Sequence, residues 1–273
     1  MRNILTICIV LFLFTSSASA TSIVAVKNND EIVIGADSKT TFTPLCDSAG
    51  EQGSIEKCKI VQTGNLFFAS AGSAGMGKAA FRGNVDPEFN VKEVISKGLG
   101  GQGRVTSKIA NLEKVLVADL TRIVEEARQE NAAFFLERFS TYPMHTIIVV
   151  GSDNGELVLI VRTFRPILSR SGSLSFEIRR FDCPGDCQES FITVFGGQTE
   201  AIRNYLQENE YFLSSTDPVT AVRDLVELEI SKDPSFVGPP VDILRLTKNG
   251  AEWVQRKSLC PDIQNSPVLP DEK

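Results

Sequence analysis

Thr-Ser-Ile-Val-Ala-Val-Lys (residues 21–27), Asn-Asn-Asp (28–30) and Glu-Ile-Val-Ile-Gly-Ala-Asp-Ser (31–38) form the stretch on which the fold reading turns. Two short β-branched runs flank three turn-forming residues, the pattern of an antiparallel hairpin over Ser22–Lys27 and Glu31–Ala36. Thr21 therefore opens a strand. Upstream, Arg2 precedes an apolar run from Ile4 to Phe14 and a small, polar stretch from Thr15 to Ala20. That run is about half the roughly 20 residues a membrane span requires, so it reads as a signal peptide. Ala18-Ser19-Ala20 is the small-x-small pattern that signal peptidase accepts. Cleavage there gives Thr21 a free α-amino group. Residues 1–20 are accordingly expected to be a leader, the mature chain to be secreted or periplasmic, and no stable membrane anchor to remain.

The mature chain is long enough for one compact domain with a large core, expected over residues 21–258, with a loose Pro-rich tail over 259–273. Arg2 is the only one of the 28 basic residues in the leader, which leaves 27 against 34 acidic residues and a net charge of −7. The basic residues are scattered and form no stripe, so nucleic acid is not an expected partner. Five of the six cysteines remain in an oxidising compartment. Local pairing of Cys46 with Cys58, and of Cys183 with Cys187 around Pro184-Gly185, would leave Cys260 unpaired. Zinc is not expected: Cys-x-x-x-Cys is not the usual ligand spacing, and His145 is the only histidine.

Further along, Lys59–Gln62 and Leu66–Ala71 around Thr63-Gly64-Asn65 read as a second strand pair. From Ser107 to Gln129 apolar residues recur at three- and four-residue spacing, which predicts a long helix with one buried face. Strands return at Thr146–Gly151, Glu156–Thr163, Ser173–Phe181 and Phe191–Phe195. Helices follow over Thr199–Asn209 and Pro218–Lys232, the second begun by Asp217-Pro218. A hairpin around Asn249-Gly250 closes the order. Strands, helices, strands, helices and a hairpin predict an α+β fold, a four-layer αββα sandwich of two antiparallel sheets with helices outside.

At this point the residues resemble a known family. The runs from Thr21 and from Ile32, Lys-Ile-Val from Lys59 and Ser-Ala-Gly-Ser-Ala-Gly from Ser70 resemble proteasome β-subunits, which are N-terminal-nucleophile (Ntn) hydrolases. The order of elements matches over most of the mature chain, and the residues match from Thr21 to about Gly75. The resemblance implies Thr21 as nucleophile, Lys59 and Asp37 as its electrostatic support, Gly72 as an oxyanion donor and Asp233 as the aspartate the family carries late in the chain. It also implies self-assembly, although the sequence names no interface.

The chemistry stands beside the resemblance. A threonine at a free N-terminus carries a nucleophilic hydroxyl and, two bonds away, an amine of pKa about 7.7 to 8.0 that is partly neutral near pH 7. Such a residue can attack a carbonyl and form an ester-linked acyl-enzyme that water releases. Lys59 beside it would hold positive charge that lowers the pKa of amine and hydroxyl, and Asp37 would direct it. Gly72 can bring a bare backbone N–H close to a substrate oxygen, with Ser73 as the alternative donor.

The chain also departs from the family pattern. The usual serine-glycine-serine segment reads Phe195-Gly196-Gly197-Gln198-Thr199, where Thr199 suits a helix N-cap. The loop after Asp233 differs in length, so Ser235 carries over weakly. His145 reads as a structural histidine, and Trp253, Phe134 and Phe135 as core or packing residues. The expected function is amide-bond cleavage in a peptide or small amide with no cofactor. The other reading is a proteasome-like fold kept as a binding or structural protein.

Overall fold

The computed structural model describes residues 21–42, 53–72, 90–130, 143–187 and 191–264. The leader, Cys46, Ser73, Phe134, Phe135 and residues 265–273 lie outside them.

The opening hairpin forms as read, with β1 (Ser22–Lys27) and β2 (Glu31–Ala36) paired antiparallel so that Ala25 faces Ile34. Asn28 closes the turn, its Oδ1 accepting from Asp30 N at 2.9 Å and Glu31 N at 2.8 Å. Short amide side chains favour turns through this kind of local bond. β3 (Lys39–Phe42) and β4 (Gly53–Glu56) make a separate two-stranded ribbon that the sequence reading lacks. β5 (Ile60–Thr63), β6 (Leu66–Gly72), α1 (Val91–Leu99) and α2 (Val105–Glu130) follow, then β7 (His145–Asp153), β8 (Glu156–Leu168), β9 (Leu174–Cys183) and β10 (Ile192–Gly197). The chain continues through α3 (Glu200–Glu208), the short α4 (Phe212–Ser215), α5 (Pro218–Lys232), β11 (Asp242–Thr247) and β12 (Gly250–Gln255).

Two five-stranded antiparallel sheets result, ordered β10-β1-β2-β11-β12 and β5-β6-β7-β8-β9. Alternation along each strand sorts the core into three layers. Ile23, Ala25, Ile32 and Ile34 meet Phe67, Ala69, Ile148 and Val150 between the sheets. The opposite faces are buried as well: Val24, Val26 and Val33 pack on Ile202, Val222 and Leu225 of α3 and α5, and Phe68, Ile147 and Val149 pack on Leu112 and Leu116 of α2. Strands buried on both faces read as continuous apolar runs. The fold is the αββα sandwich expected.

Side-chain caps fix the starts of α1 and α5. Asp217 Oδ1 accepts from Thr220 N at 3.0 Å at the head of α5, and Asn90 Oδ1 accepts from Lys92 N at 3.2 Å at the head of α1. Thr199 occupies the N-cap position of α3 but its side chain makes no capping bond; its hydroxyl accepts from Arg203 Nε at 3.2 Å instead.

One disulfide differs from expectation. Cys58 bonds to Cys260 across 202 residues, so Cys260 is not an unpaired thiol and Cys58 is not available to Cys46. Pairing by nearness in sequence fails here because the fold returns residue 260 to the start of β5, where the two Cα atoms stand 5.1 Å apart. Cys183–Cys187 forms as expected. Beyond Cys260, Gln264 N donates to Gln62 Oε1 at 2.8 Å, so the chain is attached to the sheet to that point.

Candidate active site

The first three candidate residues converge at one end of the sandwich. Thr21 immediately precedes β1, and its carbonyl accepts from Gln198 N at 2.8 Å. Asp37 follows β2 and is tied back across the hairpin: its N donates to Ser22 O at 3.2 Å, while Ser22 N donates to its Oδ1 at 2.9 Å. Its Oδ2 accepts from Lys39 N at 3.0 Å and Gly238 N at 3.2 Å. Lys59 precedes β5 in the other sheet and crosses to the first. Its Nζ donates to Thr21 Oγ1 at 2.5 Å and to Lys39 O at 2.7 Å, and lies 3.9 Å from Asp37 Oδ1. Thr21 and Lys59 are each 6% exposed and Asp37 is fully buried, so the interaction takes place away from bulk water.

Burial sets the titration of the pair. Desolvation lowers Lys59 to about 8, with Asp37 pulling it back up and Lys257 and Lys57 pushing it further down. Desolvation raises Asp37, opposed by Lys59 and by the three backbone N–H donors from Ser22, Gly238 and Lys39. Three donors aimed at one carboxyl suit its ionised form. The result is a hydroxyl in hydrogen-bond contact with an amine that is partly neutral near pH 7, the arrangement a general base requires.

Gly72 ends β6 at φ +130°, where a Cβ would stand 2.2 Å from Met144 O. Its neighbour Ala71 has a Cβ only 2.9 Å from where one on Gly197 would lie, and that same position is 1.9 Å from Thr21 O. The end of β6 therefore abuts the junction of Thr21 with β10. Asp233 is not joined to Thr21 by any described contact. It terminates α5, its N donating to Glu229 O at 2.9 Å and its O accepting from Phe236 N and Val237 N. The loop after it does reach the site, since Gly238 N holds Asp37 and Pro234 O accepts from Lys39 Nζ at 2.6 Å. Ser235 is exposed. His145 is buried in β7 opposite Gly72, with burial lowering it to about 4. Trp253 packs at the margin of the inter-sheet core.

Ser22, Lys39, Gly197 and Gly238 take part through backbone groups or close approach, roles that leave little side-chain signature. Only the Gly196-Gly197 pair could have drawn attention. Lys257 and Asp242 form a second buried pair, Nζ to Oδ2 at 2.7 Å, that the sequence reading also lacks. Cys58, Asp242 and Cys260 bring three ligand-type atoms within 4.8 Å of one another. The two sulfurs are joined in the disulfide and Lys257 occupies the carboxylate, so the donor set suits a structural cluster better than a metal.

No family model matches the chain, and no curated protein does. Among solved structures it is similar to the Gly-1 mutant of Anbu from Hyphomicrobium sp. strain MC1, at 16% identity and a TM-score of 0.44 over 89% of each chain. At that level the likeness assigns no residue a role. Among the described residues no helix is long and apolar enough to cross a membrane.

Proposed function

We propose that this chain is an exported threonine-type Ntn hydrolase that cleaves an amide bond in a peptide or small amide. The observation that carries the reading is the 2.5 Å hydrogen bond between Lys59 Nζ and Thr21 Oγ1 inside a buried site. Removal of residues 1–20 makes Thr21 the first residue.

In the proposed reaction Thr21 Oγ attacks the substrate carbonyl carbon and its proton passes to neutral Lys59. With a pKa of about 8, roughly a tenth of Lys59 is neutral at pH 7. The negative charge that develops on the carbonyl oxygen is met by a backbone N–H at the end of β6, for which Gly72 is the candidate. Collapse breaks the C–N bond and the departing nitrogen takes up a proton. Water then attacks the ester formed at Thr21 and releases the acid.

The base differs from the one the sequence reading favours. Lys59 Nζ is the nitrogen hydrogen-bonded to the hydroxyl, so Lys59 takes the proton and passes it through the freed α-amino group to the leaving nitrogen, which restores neutral Lys59. Asp37 keeps Lys59 directed at Thr21. The test is hydrolysis of a panel of fluorogenic peptide amides by the protein exported through its own leader. Turnover lost in Thr21→Ala supports the reading. Turnover equal in Thr21→Ala and the parent would sink it.

A further inference from the structure

Several contacts converge on the segment that carries Lys59. Lys257 Nζ donates to the Lys57 carbonyl at 2.6 Å, Lys92 Nζ donates to the Cys58 carbonyl, and Cys58 is bonded to Cys260. Lys257 also reaches the segment that carries Asp37. Its Nζ donates to Ser38 Oγ, Ser38 Oγ donates to Pro240 O, and Lys57 N donates to Ser38 O at 2.9 Å. Ser38 follows Asp37, and Lys57 lies two residues before Lys59. One ammonium is thus bonded to both halves of the site.

Lys257 is itself held firmly. Its Nζ pairs with Asp242 Oδ2 at 2.7 Å and its N donates to Asp242 Oδ1 at 3.0 Å, with the two side chains 3% and 0% exposed. A buried ion pair contributes little net stability, because desolvation offsets most of the attraction. Its placement beside the site therefore calls for another role, and fixing geometry is the one its bonds describe.

We propose that Lys257 is a positioning residue for the Thr21 site: through Ser38 and the Lys57 carbonyl it sets the separation of Asp37 and Lys59, and its cation faces Lys59. This rests on the reading that Thr21 and Lys59 react. The charged groups around Lys59 are Asp37 after β2, Lys57 on its own segment, Lys257 from the C-terminal segment and Lys92 on α1, with Asp242 behind Lys257. Lys257 repels a proton on Lys59, so its removal lets Lys59 hold that proton to higher pH.

The test compares the parent with Lys257→Met/Asp242→Asn, which removes both charges and leaves no carboxylate buried alone, and with Lys257→Arg. In the exported protein with ¹³Cε-labelled lysine, the Lys59 resonance should titrate near 8 in the parent. It should move up by roughly half a unit or more in the double variant and by less in Lys257→Arg. Inactivation by a β-lactone should slow about tenfold at saturation in the double variant, with half-saturation changed less than about twofold, since the fault lies in geometry and proton transfer. A folded double variant with the parental Lys59 midpoint and parental saturating rate overturns the proposal.

If the double variant does not fold, Ser38→Ala removes one bridge with little change in volume. A parental saturating rate in that variant overturns the proposal equally. Absence of any adduct on the parent would sink the Thr21 reading, and the Lys59 midpoint would still decide whether Lys257 acts on Lys59.

Discussion

A Cβ on Gly197 would stand 1.9 Å from the carbonyl oxygen of Thr21. Gly197 also sits at φ +81°, and the next residue, Gln198, donates its N–H to that same oxygen at 2.8 Å. Strand β10 thus closes on Thr21 through a glycine whose φ and close approach penalise any side chain. Gly197→Ala should cost about 2–4 kcal/mol from backbone strain and displacement of Thr21. Gly196→Ala is the control, because its Cβ would meet nothing closer than Thr146 Cγ2 at 3.4 Å. Urea denaturation of the two variants should separate them by more than about 1 kcal/mol, and equal midpoints would contradict the close approach.

Lys59 and Asp37 should matter to chemistry more than to substrate binding. Lys59→Met should lower the rate of amide hydrolysis by about 10²–10⁴, the usual range for loss of a positioned base. Asp37→Asn should lower it as well, because an amide nitrogen cannot accept from the backbone donors of Lys39 and Gly238. Loss seen mainly in KM, with kcat kept, would place both residues outside the reaction.

The pH profile follows from the sign of the Lys59 shift. The base must be neutral, and Lys59 loses its proton at about 8. The rate should therefore fall about tenfold per unit below that pH and level off above it. A rate flat from pH 6 to 9 would exclude Lys59 as the base.

His145 makes stability pH-dependent. Burial lowers it from 6.5 to about 4, opposed by a hydrogen bond with the Ala71 backbone. Its folded-state pKa is depressed, so its contribution is complete above 6.5 and is lost as pH falls through 4. The loss across that window is on the order of 3 kcal/mol. Chemical denaturation of the parent and His145→Gln at pH 7.5 and pH 4.5 should show a smaller drop in the variant; equal drops would remove His145 as the cause.

The two disulfides should differ in weight. Cys58–Cys260 spans 202 residues, for which loop-closure entropy gives about 5 kcal/mol, against about 2 kcal/mol for the Cys183–Cys187 loop of four. Serine pairs at the two bridges should rank in that order by thermal melting without reductant. The reverse order would mean that the long bridge contributes mainly position at the site.

Much of this was legible because local pattern and fold agree. The runs Ser22–Lys27 and Glu31–Ala36 form strands at the boundaries read, and α5 begins at Asp217-Pro218 as its capping pattern requires. Thr21 stands out by its place after Ala18-Ser19-Ala20, and Asp37 and Lys59 by the runs that resemble proteasome β-subunits; the structure brings the three side chains together. What the sequence hides is mostly backbone and long-range. Gly238 acts through an N–H 201 residues from Asp37, and Cys260 meets Cys58 only after the sheet returns. Asp233 is carried over from the family by its place late in the chain; its own bonds end α5 and shape the loop whose Gly238 N–H reaches Asp37. Helix α1 escaped notice since Val-Lys-Glu-Val-Ile-Ser-Lys-Gly-Leu holds a glycine, Gly98, that serves close packing on Leu112.

The central claim is that Thr21 becomes both the first residue and the nucleophile. The most direct measurement is the N-terminal sequence and intact mass of the exported protein after brief treatment with a β-lactone or epoxyketone, beside Thr21→Ala. A chain that begins at Thr21 and carries one adduct, absent from the variant, is the predicted result. A chain that begins at another residue, or an adduct that persists in Thr21→Ala, would contradict it.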